Sequence, residues 1–159
     1  MTVRLWRIAT DAREYEAHDL TGRGAEITGG RWNRKGLAVV YAASNVSLAC
    51  LETVVHLGAA SLPMNRLLVE IQVPDQVWAS RAILKLAELA VGWDAVPEGK
   101  VSLDIGDDWL KKGEAALLQV PSVIVPEEYN VLINPRHPDA AQLTAAKVRR
   151  WTYDGRLLG

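Results

Sequence analysis

Seven prolines and twelve glycines cut the apolar stretches of this chain into short, β-branched pieces. The runs 37–42, 67–73, 117–120, 123–125 and 131–133 are too brief for amphipathic helices. They read as strands. Pro121 and Pro126 interrupt the later runs, which strands tolerate at their ends and edges. No regular βαβ rhythm links the pieces. The fold class is therefore α+β, with short, largely antiparallel strands and a few helices. At 159 residues the sequence describes a single domain over 1–159.

Finer expectations follow the same rules. The stretch 3–8 alternates and predicts a strand. A loop, or a short helix plus loop, covers 10–26. The segment 29–36 forms a turn leading into a short strand and out again. Ser44 or Ser47 caps a helix that runs to about Leu57 and stops at Gly58. On that helix Leu48, Leu51, Val54 and Val55 share one apolar arc, with Glu52 at its rim. Further expectations are a short strand at 77–79, a weak helix at 83–91 and a loop at 93–100. A helix opened by Ser102 or Asp104 then carries Trp109 and Leu110, and a last strand covers 148–153.

Composition removes several function classes. Lysine plus arginine is 18 against 19 acids, a net charge of −1, so the basic excess of a dedicated nucleic-acid binder is missing. The local run Lys147-Val148-Arg149-Arg150-Trp151 resembles a single-strand-binding patch, or simply a strand with a solvated face. Cys50 is the only cysteine, which excludes a disulfide framework and a CxxC knuckle and fits a small core residue. The N-terminus lacks a signal-peptide core, and no apolar run nears the ~18 residues of a membrane span, so a cytoplasmic protein without membrane contact is expected. Gly22-Arg23-Gly24 lacks the third glycine of a dinucleotide fingerprint, and 30–35 lacks the end of a P-loop. There is no nucleophile elbow and no HExxH; His18, His56 and His137 are scattered, so no metal is expected.

Two segments carry a specific pattern. One runs from Gly29-Gly30-Arg31-Trp32-Asn33 through Val40-Tyr41-Ala42 to Ala49-Cys50-Leu51-Glu52. The other is Val120-Pro121-Ser122 followed by Asn130-Val131-Leu132-Ile133-Asn134-Pro135-Arg136-His137-Pro138. With Trp6-Arg7, these segments resemble the RES domain family, named for an Arg, a Glu and a Ser. Arg31, Glu52 and Ser122 match the three letters, Tyr41 matches the family's strand tyrosine, and the likeness covers about 5–138.

That resemblance implies a fold similar to ADP-ribosyltransferase toxins. It implies the toxin of a type II toxin–antitoxin pair that degrades NAD at the nicotinamide–ribose bond, with water or phosphate as acceptor. The alternative is a protein ADP-ribosyltransferase toxin; a non-catalytic binding module is a third reading. NAD is a substrate and no cofactor is implied. The implied partner is an Xre-type helix-turn-helix antitoxin that blocks the site, so nucleic acid is met only through that partner. A homo-oligomer is compatible with the pattern.

Within this resemblance Glu52 supplies the carboxylate facing an oxocarbenium-like transition state. Arg31 grips pyrophosphate or ribose, since a guanidinium bonds phosphate oxygens in pairs. Gly29-Gly30 lets backbone approach the phosphates, or forms a plain turn. Tyr41 stacks on or orients the nicotinamide, and Ser122 binds ribose or phosphate or positions a nucleophile. Arg7 reaches the phosphates or braces Glu52, and Asn134 contacts NAD or makes a local turn; His137 is structural. Arg34 and Lys35 are solvated neighbours, and the acidic stretch 104–108 faces a basic partner or favours a helix start. Arginine-directed ADP-ribosyltransferases carry Glu or Gln two residues before the catalytic Glu. Here Cys50 holds that place, which favours water or phosphate as acceptor.

Overall fold

The computed structural model describes residues 1–57 and 62–158. Its chain forms β1 (Thr2–Ala9), α1 (Arg23–Thr28), β2 (Val40–Ala43), α2 (Val46–Val54), β3 (Arg66–Pro74) and α3 (Asp75–Ala79). Then come β4 (Ala82–Ile83), α4 (Lys100–Lys112), β5 (Leu117–Pro121), β6 (Tyr129–Ile133) and β7 (Thr144–Trp151). The strands make one seven-stranded sheet in the order β4-β5-β6-β2-β1-β3-β7. Only the β4–β5 pair is parallel. The α+β, largely antiparallel expectation holds. Among the described residues no helix is long and apolar enough to cross a membrane.

Alternation sorts the strand residues onto two faces. Leu5, Val40, Ala42, Val69, Ile71, Val131 and Ile133 bury one face in a single apolar cluster. The other face carries two separate clusters. Ile8, Ala43 and Leu68 pack under α2. Val120 and Leu132 pack under Trp32, Trp93 and Trp109 of α4 and its neighbouring loops. Tyr41 and Asn130 lie on this second face, where the two clusters meet: Ala43 opposes Asn130 across β2–β6, and Tyr41 opposes Leu132.

Several local expectations change. The cap of α2 is Asn45, whose side chain accepts from the Leu48 N–H at 2.8 Å, in place of Ser44 or Ser47. The apolar arc of α2 is rotated. Leu48 and Ala49 are buried and Cys50 and Val54 pack beneath, while Val55 is 56% exposed. Gly58, the expected stop, lies outside the described residues. The segment after Pro74 is α3 rather than a strand, because strand β3 already carries the apolar alternation to its end. In the stretch 83–91 Ile83 ends β4, and the only helical piece is a short 3-10 turn at Leu86–Glu88. The 123–125 run forms no strand, since it closes the turn that follows Ser122. Helix α4 starts at Lys100, so the acidic stretch lies mid-helix rather than at an N-terminus. Segment 29–36 contributes one bridge, Gly30 to Asn33, and no strand.

The Lys147–Trp151 run is the outer edge strand. Lys147 is held by Asp11 at 3.0 Å, and the Trp151 ring packs toward the α2 cluster with Arg149 over it. This is the plain reading, a strand with a solvated face.

Gly106 fixes how α4 approaches the sheet. A Cβ there would overlap the backbone carbonyl of Trp32. Glycine costs a helix interior about 1 kcal/mol against alanine, so Gly106→Ala would ordinarily stabilise. Here it must push α4 off the Trp32 backbone. We expect a loss of about 1–3 kcal/mol, seen as a fall of several degrees in the thermal midpoint. A midpoint that rises would show that the close approach is unimportant.

Candidate active site

Glu52 projects from α2 toward the start of β6 and the end of β5. Its Oε1 accepts two hydrogen bonds, from Ser122 Oγ at 2.7 Å and from Asn130 Nδ2 at 2.8 Å. No lysine, arginine or histidine among the described residues makes an ion pair with it. A helix-surface glutamate normally sits beside a cation or in open water. This one is half-buried and held by two neutral donors.

Ser122 is fully buried and spends its whole hydroxyl. The hydroxyl donates to Glu52 and accepts from the N–H groups of Ile124 and Val125, each at 3.1 Å. One donor and two acceptor positions are all a serine has. In this structure no donor or acceptor position of the hydroxyl is left over. It is a brace for Glu52.

Arg31 stands in the loop between α1 and β2. Its Nη1 donates to the carbonyls of Trp93 at 3.1 Å and Ala95 at 2.9 Å. The other nitrogens of the fork have no partner among the described residues and can take an anion. The loop beneath is fastened at several points. The Tyr41 hydroxyl accepts from Trp32 N–H at 3.0 Å and donates to Asn33 Oδ1 at 2.6 Å. Burial pushes that hydroxyl far above its usual pKa, so it stays protonated and able to donate. Asn33 has no exposure and donates to the Ala25 and Leu37 carbonyls. Ser102 of α4 donates to the Arg31 carbonyl at 2.8 Å. Gly30 is needed because a Cβ would lie 2.8 Å from the Tyr41 oxygen.

Tyr41 therefore braces the Arg31 loop with its hydroxyl. It also links the two halves of the site. Ala43 faces Asn130, so Tyr41, two residues along, is a diagonal neighbour of Asn130 on the same face. Such neighbours have side chains about 7–8 Å apart. Arg34 is no bystander. It joins Asp107 at 2.6 Å and Asp104 at 2.8 Å, so two residues of the acidic stretch hold this loop, while Asp108 pairs with Lys112 and stays exposed.

Two expected residues stand apart. Arg7 shares a face of β1 with Leu5 and Ala9, which pack on the opposite face of the sheet from α2. Its Nη1 donates to the Tyr41 backbone carbonyl at 3.3 Å, filling the gap where β1 and β2 pair at Trp6–Ala43 alone. Burial lowers its pKa, countered by Tyr15 and Asp19 rather than by Glu52. Asn134 lies beyond the far end of β6 from Asn130. It is buried, donating to the Leu110 carbonyl and accepting from Arg136 N–H. A cavity of about 600 Å³ opens near that end, lined by Arg136, His137 and Arg23 among others, and includes none of Arg31, Tyr41, Glu52 or Ser122. His137 itself accepts from Asp139 N–H, which is the structural role expected of it.

Asn130 is the partner of Glu52 that the sequence reading passed over. It sits in the same specific segment as Asn134, and only the strand register shows which asparagine faces Glu52. Removing the Tyr41 hydroxyl tests the loop geometry without touching Glu52. Tyr41→Phe strands a buried N–H and a buried carbonyl oxygen. The expected loss is about 2 kcal/mol, a midpoint lower by roughly 4–8 °C. An unchanged midpoint would mean the loop is held by other contacts.

The RES domain family matches residues 4–154. A Prs ADP-ribosylating toxin of Sphingobium sp. (strain YBL2) is 61% identical over 158 residues, covering 99% of this chain and 98% of the relative. A protein named Toxin Res from Yersinia enterocolitica is 39% identical over 154 residues, covering 96% and 98%. Another Toxin Res, from Pseudomonas putida, is 41% identical over 155 residues, again covering 96% and 98%. With the match running from β1 through β7, and its name-giving glutamate and serine joined by a hydrogen bond, this chain belongs to the RES domain family.

Proposed function

We propose that this protein is a toxin enzyme that breaks the nicotinamide–ribose bond of NAD and passes the ADP-ribosyl group to water or phosphate. The observation that supports this most is the half-buried Glu52 carboxylate, fixed by Ser122 and Asn130 with no cation beside it. When the bond breaks, its electron pair leaves with the nicotinamide ring, whose positive charge is thereby neutralised. Positive charge develops on the ribosyl carbon and ring oxygen. A carboxylate held in place by neutral donors stabilises that charge without reorganising and without being cancelled by a neighbour. Because the leaving group departs neutral, no second carboxylate is needed as an acid. The free part of the Arg31 fork suits the pyrophosphate, at a site kept rigid by Tyr41, Asn33, Ser102 and Arg34.

A second reading has a specific observation behind it: the relative that shares 61% identity is named an ADP-ribosylating toxin. The same Glu52 chemistry then ends on a protein side chain. Against an arginine acceptor stands Cys50, which packs toward the sheet with its thiol pKa raised by burial. It offers neither a carboxylate nor an amide to orient a guanidinium. Neither nucleic acid nor a metal enters this chemistry. An Xre-type helix-turn-helix antitoxin is the partner proposed to cover the cleft between Arg31 and Glu52, in the cytoplasm where NAD is met.

Purified protein incubated with NAD should release nicotinamide, and Glu52→Gln should lower the rate at least about 100-fold with an unchanged thermal midpoint. The glutamine keeps an oxygen to accept from Ser122 and Asn130 but lacks the charge. Equal rates in the two proteins would remove Glu52 from the chemistry. With labelled NAD, hydrolysis or phosphorolysis leaves the label on small products, whereas label on a protein band moves the assignment to the second reading. Full turnover by an antitoxin complex would contradict the covered cleft.

A further inference from the structure

The Asn130 side chain is out of place by every rule except one. It stands in β6 among Tyr129, Val131, Leu132 and Ile133, a run of strong strand formers, whereas asparagine is depleted from strands. Its amide orientation is fixed by chemistry. An ionised carboxylate only accepts, so the atom 2.8 Å from Glu52 Oε1 must be the amide nitrogen. That leaves Asn130 Oδ1 buried with no partner among the described residues. An unsatisfied buried acceptor costs about 1–3 kcal/mol. A residue kept for stability would have both ends of its amide paired.

We infer that Asn130 is a positioning residue, kept for its one hydrogen bond to Glu52 at a cost to the fold. Together with Ser122 it anchors Oε1, the same oxygen, from β6 and from the turn after β5. Oε2 receives no hydrogen bond from the described residues and is the oxygen presented to the ribosyl centre. Glu52 rides on a two-and-a-half-turn helix packed over other strands, so nothing on α2 itself fixes its last torsion. The two donors fix it. This inference rests on Glu52 being the reacting carboxylate and adds which oxygen reacts and what aims it.

The test separates aim from stability. Asn130→Leu keeps a similar volume, removes the donor and also removes the unsatisfied oxygen. Nicotinamide release from NAD and thermal midpoints are measured for the wild type, Asn130→Leu, Asn130→Asp and Glu52→Gln. Asn130→Leu should lose about 10–100-fold in kcat, as a misplaced group does, with KM within about twofold and a midpoint equal to or above that of the wild type. Asn130→Asp cannot donate when ionised and should lose at least as much. A kcat for Asn130→Leu within twofold of wild type, while Glu52→Gln is inactive, would overturn the positioning role and leave Glu52 standing. A midpoint that falls by many degrees alongside kcat would make Asn130 structural. A wild type that releases no nicotinamide to any acceptor would remove both readings.

Discussion

A single carboxylate oxygen organises this molecule. Glu52 Oε1 receives hydrogen bonds from a turn serine and a strand asparagine that lie 70 and 78 residues further along the chain. These bonds exist only if α2 lies across β1 and β2 while β6 pairs with β2 in the register that sets Asn130 opposite Ala43. A slip of one residue in that pairing would turn Asn130 into the apolar cluster on the other face. The bland interior of the sheet, Val69, Ile71, Val131 and Ile133, thus serves the site by fixing register.

The Arg31 loop is built by a different device. No strand carries it. A loop is locked by polar side chains that spend themselves on its backbone: Tyr41, Asn33, Ser102 and the Arg34–Asp107 pair. Gly106 lets α4 press directly on that loop, and Gly30 admits the Tyr41 hydroxyl. Rigidity here substitutes for the regular structure that the turn sequence cannot form, and it holds a guanidinium whose remaining donors have no partner among the described residues.

Much of the fold was legible in the sequence because it follows from periodicity. β1, β3, β5 and β6 alternate or run apolar for the length of a strand. What failed had physical reasons. Val77 to Ala79 is apolar enough for a strand, but the chain has just ended β3 and turns into α3. Asn45, Ser44 and Ser47 all have capping side chains, and only backbone geometry chooses among them. In the site, the sequence groups Arg31, Tyr41, Glu52 and Ser122, but the hydrogen bonds these side chains make were not legible. Tyr41 and Ser122 read as ligand-facing groups in the sequence, and in the structure their hydroxyls bond to other groups of the chain. Asn130 and Asn134 are equivalent in composition. Four positions along one strand direction separate a brace of Glu52 from a buried turn residue, and the sequence carries no mark of that difference.

The central claim is that Glu52 faces a ribosyl centre that gains positive charge as nicotinamide leaves. The most direct measurement is the secondary isotope effect on nicotinamide release from NAD labelled with heavy hydrogen at the ribosyl carbon. Charge development loosens that carbon, so an effect on kcat/KM clearly greater than one is predicted. An effect indistinguishable from one in an assay shown to be limited by bond breaking would contradict the proposed chemistry of this site.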